Sequence, residues 1–357
     1  MTLRKKTDNA FKENCEQSTM IESPFITVII PSRNEEKFLS PCLDSVLAND
    51  YPKEKMEVFI VDGMSSDKSR HIARQYQQVH HIIRLLDNPG RIYPSALNIG
   101  IRESKGAFIF ILGAHASYNN TYFHDCIDFA LRFQSDNTGG CLVTKGLNQN
   151  LIGLSIIQVL TNRFGVGNSS FRTGSDKIKE TDTVFGGCYK RDVFERIGFF
   201  NEKLVSSSDI EFNKRLKRSG GKIILIPQIE VTYYTRNTFK SFFRNNLRNG
   251  FWAIFPIAFS SHLPVSARHL VPLVFLATLL GILILSLFYS TAWYVLLTLG
   301  SLYLLVSIVF SFRSARHLPL FLLTMPPLFL LLHLTYGVGS LAALFVLSFA
   351  KKNEKII

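Results

Sequence analysis

The first twenty residues contain no apolar stretch. Met1 to Met20 is polar and charged, with Arg4, Lys5, Lys6, Asp8, Lys12 and Glu13. That composition excludes a secretory leader there, so the following domain is expected to face the cytosol. Cysteine is sparse: Cys15, Cys42, Cys126, Cys141 and Cys188 are odd in number and share no paired spacing. Neither a zinc site nor a disulfide framework is expected from them, only buried, reduced thiols. Acidic residues are outnumbered, 27 against 40 Lys and Arg, for a formal charge of +13. That sign suits nucleic acid, anionic lipid or a phosphorylated substrate. No nucleic-acid-binding motif accompanies the charge, which removes the first. Lys214, Arg215, Lys217, Arg218, Lys222, Arg236, Lys240, Arg244 and Arg248 crowd the stretch before the apolar region, where they would meet lipid headgroups. Acids are missing altogether from residues 270–349, which argues against a transporter with a charged relay.

Apolar residues are plentiful, 47% with 30 Phe, and unevenly placed. Up to about residue 263 they interleave with charge as in a globular domain, whereas from Leu270 long apolar runs are broken only by short basic clusters. The expected division is a polar tail (1–24), an α/β domain (25–235), amphipathic interfacial helices (236–263), a transmembrane region (264–350) and a basic tail (351–357). Residues 270–288 and 293–310 each approach the roughly 20 that span a bilayer, and they form a hairpin. Arg313, Arg316 and His317 then return the chain to the cytosol by the positive-inside rule. Residues 318–349 are too many for one upright span and few for two, and Pro326-Pro327 interrupts them. Because Lys351, Lys352 and Lys355 prefer the cytosol, a re-entrant or two-half-helix arrangement is expected, with one tilted span as the alternative.

Residues 25–31 (FITVIIP) form a β-branched run ending at proline, the pattern of a buried parallel strand. A helix is expected over 36–47, where Phe38, Leu39, Leu43, Val46 and Leu47 recur at helical spacing, and MEVFIV at 56–61 repeats the strand signal. Further strands at 81–86 and 107–112 alternate with helices near 68–77 and 93–103. This alternation predicts a parallel sheet with helices on both faces and a ligand beyond the strands' carboxyl ends. Residues 32–35, 62–67 and 113–117 all fall there.

The strand-end segments Ile30-Pro31-Ser32-Arg33-Asn34-Glu35, Val61-Asp62-Gly63-Met64-Ser65-Ser66-Asp67 and Gly113-Ala114-His115 follow one another in an order and spacing that resembles the family 2 glycosyltransferases. The likeness covers roughly residues 25–255. Asn88-Pro89-Gly90-Arg91, Ala96-Leu97-Asn98-Ile99-Gly100 and Phe164-Gly165-Val166-Gly167-Asn168 are similar to the glucosyltransferases of succinoglycan and other exopolysaccharide assembly. The resemblance implies a GT-A (Rossmann-like) α/β domain followed by an α-helical membrane region, and a nucleotide-sugar donor carried on UDP. It implies donor contacts at Pro31, Arg33, Glu35, Asp62, Ser65, Asp67, Asn98 and Ala114. Asp62 would accept the uridine imide proton, and Glu35 would lie beside the ribose. Any one of these polar residues alone would serve equally as a turn former. The family's Asp-X-Asp motif holds Mg²⁺ or Mn²⁺ against the diphosphate, and here it reads Gly113-Ala114-His115. Asp-Ala-His is common in the exopolysaccharide branch, so the resemblance makes His115 a metal ligand, better suited to Mn²⁺ than to Mg²⁺. By itself a loop histidine is a plain polar residue.

Gly186-Gly187 matches the family's paired glycines, which implies space for an acceptor; paired glycines also mark ordinary turns. Ser208-Asp209-Ile210-Glu211-Phe212 stands where the family has Glu-Asp-X-Glu/Asp-Leu. The match implies Asp209 as general base of an inverting displacement, with Glu211 near the acceptor. A first-turn acid or N-cap is the other reading of Asp209, compatible with the first. Residues 244–252 fall where relatives carry Arg-Gln-X-X-X-X-Gly-Arg-Trp, with Asn245 and Phe251 replacing Gln and the second Arg, which argues against a long-polymer synthase. Arg244, Arg248 and Trp252 would hold phosphate or acceptor, or simply form a basic interfacial helix. The expected protein therefore transfers a sugar from a nucleotide donor to a lipid-linked or membrane-borne glycan. It would sit in the inner membrane as a multi-pass protein with a cytosolic catalytic domain, in contact with membrane lipids. Because Gly63, Gly113, Ser208 and Phe251 all replace polar or charged groups, a catalytically silent assembly partner is the alternative.

Overall fold

The computed structural model describes residues 23–235, 237–259 and 266–350; residues 1–22 of the polar tail, with Cys15, and Arg236, Lys351, Lys352 and Lys355, lie outside the described residues. The first half runs β1 Ile26–Ser32, α1 Leu39–Leu47, β2 Met56–Asp62, α2 Ser69–Val79, β3 Ile83–Asp87, α3 Tyr93–Glu103, β4 Phe108–Ile111, β5 Ala116–Tyr118, α4 Tyr122–Arg132 and β6 Asn137–Gly146. Then come α5 Leu151–Leu160, α6 Arg163–Val166, α7 Ser170–Thr173, β7 Lys179–Glu180, β8 Phe185–Lys190, α8 Asp192–Ile197, α9 Ser208–Arg218 and β9 Ile223–Thr235. The chain ends with α10 Phe239–Ile254 and three apolar helices, α11 Val271–Leu285, α12 Thr291–Ala315 and α13 Phe321–Ala350.

One sheet carries the domain in the order β3-β2-β1-β4-β8-β6-β9-β5, with β7 added to β9. β3, β2, β1 and β4 are parallel as expected, but β8 joins antiparallel to both β4 and β6, and β5 antiparallel to β9. The fully parallel sheet is thus corrected: the regular alternation of strands and helices lapses after β4, and β8, β5 and β7 enter antiparallel while β6 and β9 pair in parallel. Because side chains alternate across a strand, Val28 and Ile30 feed one apolar layer and Ile29 the other, each fully buried. Two covered faces explain why β1 and β2 read as continuous apolar runs.

Among the described residues three helices are long and apolar enough to cross a membrane: Ala267–Leu285, Thr291–Ala315 and Phe321–Phe349. The third corrects the re-entrant expectation, since α13 is one continuous helix with Pro326 and Pro327 inside it. At 1.5 Å per residue its 30 residues reach about 45 Å, beyond the ~30 Å of a hydrocarbon core. Its first turns are instead covered by protein. The apolar helix α5 of the catalytic domain packs there through Ile156 and Val159 against Phe321, Met325, Leu328 and Phe329. Ser155 and Thr324 share a hydroxyl contact of 2.6 Å, Ser314 Oγ donates to Gln158 Oε1 (2.8 Å), and Asn162 Nδ2 donates to the Phe310 carbonyl (3.0 Å). Helix breakers are tolerated where neighbouring helices and hydroxyls surround the interrupted turns. α10 also departs from the expected interfacial position on one face, because it crosses α13 at glycines. A Cβ on Gly250 would lie 1.9 Å from the Tyr336 carbonyl oxygen, and one on Gly339 would lie 2.1 Å from that of Leu247.

Candidate active site

The loops after β1 and β2 are laced together. The backbone amides of Asn34, Glu35 and Glu36 donate to Ser65 Oγ (2.9 Å), Ser69 Oγ (2.8 Å) and Asp67 Oδ2 (3.1 Å), and the Ser66 amide returns a bond to Asn34 Oδ1 (2.9 Å). Ser65 and Asp67 therefore hold the loops in shape. Burial alone would raise the Asp67 pKa, but the bonds from Ser69 and the Glu36 amide bring it below the usual carboxylate value. Asn34, Met64 and Arg91 adopt φ of 57°, 55° and 57°, and Ser207, two residues before Asp209, adopts 62°. Left-handed conformations at non-glycine residues cost on the order of 1 kcal/mol or more each and gather where a site over-determines them. No sequence pattern announced these four positions.

Asp62 lies at the end of β2 as expected, but it is only 1% exposed. Its carboxylate accepts the Ser65 amide (3.0 Å), the Ser65 hydroxyl (2.5 Å) and Arg70 Nη1 (2.8 Å). Arg70 pairs equally with Asp87 (2.8 Å), which stands opposite Asp62 in the β2–β3 register and is 58% exposed. The sequence reading missed Arg70 and Asp87. The register pair of aspartates at two strand ends was the available signal. Arg33 donates to the Arg91 carbonyl (2.9 Å), and its stem covers Gly63, where a Cβ would meet Arg33 Cδ at 3.2 Å. Pro31 is paired in the sheet with Val61. Asn98, expected at the donor, is buried instead in a clamp: it donates to the Phe200 carbonyl (2.9 Å) and Glu202 (2.7 Å) and accepts the Phe200 amide (2.9 Å).

Ala114 is buried, and His115 beside it faces Glu35 in the loop after β1: Nδ1 lies 3.5 Å from Glu35 Oε1, and Nε2 lies 3.2 Å from the Tyr233 hydroxyl. Tyr233 enters from β9 and packs edge-on against the His115 ring, 4.9 Å between centroids. Among the described residues no group of three or more His, Cys, Asp or Glu has metal-binding spacing. Glu35 and His115 bring one carboxylate and one imidazole together, donor types compatible with Mn²⁺. The missing Asp-X-Asp carboxylate has a packing cause: a Cβ on Gly113 would stand 3.0 Å from Phe185 Cζ. Gly113→Asp is therefore expected to lower stability by about 1–3 kcal/mol through overpacking. Chemical denaturation would measure it, and a Gly113→Asp/Phe185→Ala double variant should behave better than the sum of the singles.

Gly186 and Gly187 open no space for a ligand. Gly186, at φ 64°, makes room for Tyr122, whose hydroxyl donates to the Gly186 carbonyl (2.5 Å), and a Cβ on Gly187 would meet Asn137 Oδ1 at 2.6 Å. The expected acceptor space is filled by the protein itself. Glu211 is likewise committed, accepting from Arg215 Nε (3.0 Å) and Nη2 (3.2 Å), while Arg215 also donates to the Ile197 and Phe199 carbonyls. Asp209 is different. It stands exposed in the first turn of α9, yet the protein massed around it pushes its pKa above the usual carboxylate range, opposed by the Ile210 and Asp209 amides and by Arg172. Its charge reaches Tyr93 at the start of α3 and Tyr189 of β8, so α9 begins beside the strand-end loops. Arg244 and Arg248 lie on the exposed face of α10, away from the glycine crossing, with Trp252 half-buried among Phe251 and Phe255.

The family model described as Glycosyl transferase family 2 matches residues 27–198. The dolichyl N-acetyl-alpha-D-glucosaminyl phosphate 3-beta-D-2,3-diacetamido-2,3-dideoxy-beta-D-glucuronosyltransferase of Methanococcus voltae is 30% identical over 232 residues, 63% of this chain and 72% of that protein. Succinoglycan biosynthesis protein ExoA of Rhizobium meliloti is 25% identical over 211 residues, 58% of this chain and 63% of that protein. Among solved structures, mannosyltransferase PcManGT from Pyrobaculum calidifontis, in complex with GDP-Man and Mn²⁺, aligns with a TM-score of 0.60 at 18% identity, covering 90% of this chain and 88% of that one. At that identity the likeness concerns the fold alone.

Proposed function

The chain belongs to glycosyl transferase family 2, and from that premise we propose that it performs an inverting transfer onto a lipid-linked glycan at the membrane surface. The chain is a GT-A glycosyltransferase of that family using a nucleotide-sugar donor, associated with a membrane by its three apolar helices. The finer reading is carried by the placement of Asp209, an exposed carboxylate in the first turn of α9 within electrostatic reach of Tyr93, its pKa raised by the surrounding protein. As the acceptor hydroxyl oxygen forms its bond to the anomeric carbon, its proton passes to Asp209, and the bond from that carbon to the diphosphate breaks on the opposite side. The laced loops carrying Arg33, Asn34, Ser65 and Asp67 would seat the nucleoside, with Arg70 and Asp87 at their edge. Glu35 and His115 would hold a divalent cation, whose charge stabilises the departing diphosphate.

The acceptor class is supported by α5, which docks the catalytic domain onto the apolar helices α12 and α13, so that an acceptor carried at the bilayer surface would lie close to that domain. The relative from Methanococcus voltae is named for a dolichyl-phosphate acceptor, in keeping with this reading. In the proposed arrangement residues 25–235 form the catalytic domain, facing the cytosol from the inner membrane, because Arg313 and Arg316 follow the second span. The silent-partner alternative gains no support from Gly63 and Gly113, since both are packed as glycine against Arg33 and Phe185.

Calorimetric titration of the full chain with UDP and with GDP, each with and without Mn²⁺, tests the donor site. UDP binding is expected, strengthened by Mn²⁺ in the native protein and insensitive to it in His115→Ala. Folded protein that binds neither nucleotide would overturn the enzyme reading.

A further inference from the structure

α9 carries the proposed base in its first turn, and it is seated by polar as well as apolar contacts. Residues three, four and seven positions on from Asp209 share its face of the helix, and these are Phe212, Asn213 and Leu216, all buried. Asp209 therefore heads the inward stripe, which is why protein masses around the carboxylate of an exposed residue. Phe212 stacks on Phe200 (4.2 Å between centroids) and on Phe194 (5.4 Å), and it meets Tyr189 edge-on (5.7 Å). Contact of this kind is non-directional and holds the helix down without fixing its rotation. Asn213, 1% exposed, does fix it. Its Oδ1 accepts from the Tyr189 hydroxyl of β8 (3.0 Å) and from Asn137 Nδ2 of β6 (3.2 Å), and its Nδ2 donates to Thr183 Oγ1 (3.0 Å) in the segment before β8. Gly187 makes room for these groups, since a Cβ there would stand 2.6 Å from Asn137 Oδ1 and 2.8 Å from Tyr189 Cε2.

An apolar side chain in place of Asn213 would extend the stripe of Phe212 and Leu216 and seat the helix without burying an amide. What the amide adds is orientation, because a fully bonded polar group accepts one arrangement of its partners. Arg215 also ties α9, to the Ile197 and Phe199 carbonyls, but from the far end of a long side chain; Asn213 does so through a short one, from beneath the helix. Tyr189, bonded to Asn213, lies within reach of the Asp209 charge as well, so these bonds sit under the proposed base. The tip of a side chain stands roughly 5–6 Å from the helix axis, and a rotation of about 10° therefore carries it by ~1 Å. A misplacement of about that size can cost on the order of 100-fold in rate. We infer that Asn213 is a positioning residue for transfer: gripped by Tyr189, Asn137 and Thr183, it sets the rotation of α9 and with it the direction in which Asp209 meets the acceptor hydroxyl. This rests on Asp209 as the base proposed above.

The test follows the Asp209 carboxyl itself. The full chain in phosphatidylcholine nanodiscs is treated over a range of pH with a carbodiimide, which reacts with protonated carboxyls, and modification at Asp209 is measured by peptide mass spectrometry. In the native protein it is expected to persist above the ordinary aspartate range. Asn213→Leu should move the midpoint down towards that range, so that modification near neutral pH falls severalfold. Tyr189→Phe keeps the ring against Phe212 and removes only the hydroxyl, and it should act in the same direction by less. Arg172 and Tyr93, which also face Asp209, are unchanged in each variant. Leu216→Ala is the control: it loosens the same stripe without touching the amide, so it should lower the melting temperature and leave the midpoint in place. UDP affinity retained in each variant establishes that the fold survives, and should Asn213→Leu lose it, Tyr189→Phe decides alone. A midpoint that neither variant moves, or that Leu216→Ala moves equally, would overturn the inference. Failure of the base reading is separate, for it is read by kcat in Asp209→Asn, whereas the carbodiimide reports the carboxyl whether or not it is the base.

Discussion

Asp209→Asn should lower kcat by about 100- to 10,000-fold, the range for removing a positioned general base, while UDP affinity stays within error. The isosteric amide keeps the shape of the first turn and removes only the proton acceptor. Stability separates this role from a helix-terminus role. If Asp209 served mainly to complement the α9 dipole, its neutralisation would lower the melting temperature. The raised pKa points the other way, because the ionised form is the costly one in the folded state. A raised carboxyl pKa contributes stability that is complete below the unfolded value and is lost as pH climbs through the folded value. At neutral pH the asparagine variant should therefore melt no lower than the native protein. Activity runs opposite in sign: the base works deprotonated, so the acid limb of kcat/KM should lie above the ordinary aspartate range and vanish in Asp209→Asn. A variant with native kcat would remove Asp209 from the mechanism.

Gly250→Leu is expected to be the most damaging change outside the site. Its Cβ alone would overlap the Tyr336 carbonyl oxygen, and Ser340 Oγ donates to the Gly250 carbonyl (3.0 Å), so α10 and α13 touch backbone to backbone there. Separating them should cost about 3 kcal/mol, the upper end for overpacking, and lower the melting temperature of detergent-purified protein by several degrees or more. Gly281→Leu and Gly300→Leu provide the comparison, because a Cβ at either position meets nothing within 4 Å. If Gly250→Leu melts with these two, the close crossing does not anchor the domain to the bundle.

Much of the fold was legible in the chain. β1, β2, β3 and β4 stand within two residues of their expected bounds, because buried strands write their β-branched runs locally. The first two spans were legible for the same reason, each being a local run of apolar residues. α5 was not, for LIGLSIIQVL inside an α/β domain resembles any core helix until its neighbours are known. The site divides similarly. Sequence order brought Glu35, Asp62, His115 and Asp209 forward as candidates. It could not tell that Asp62 is saturated by Ser65 and Arg70, that Asn98 clamps Phe200, or that Phe185 occupies the space of the absent Gly113 side chain.

By itself, then, the sequence determined the class of fold, the family, and the division between a charged α/β domain and an apolar end, because apolar periodicity and strand-end motifs depend on neighbours along the chain. Tertiary structure decided which carboxylates remain available to a ligand, where antiparallel β8 enters the sheet, that Pro326 and Pro327 stay within one helix, and that Arg268 returns to Asp182. Those outcomes depend on which groups compete for the same hydrogen bond or the same few ångströms of space. Much of that competition is settled between residues far apart in the chain, Phe110 with Cys188 and Asp182 with Arg268 among them, beyond the reach of any local pattern.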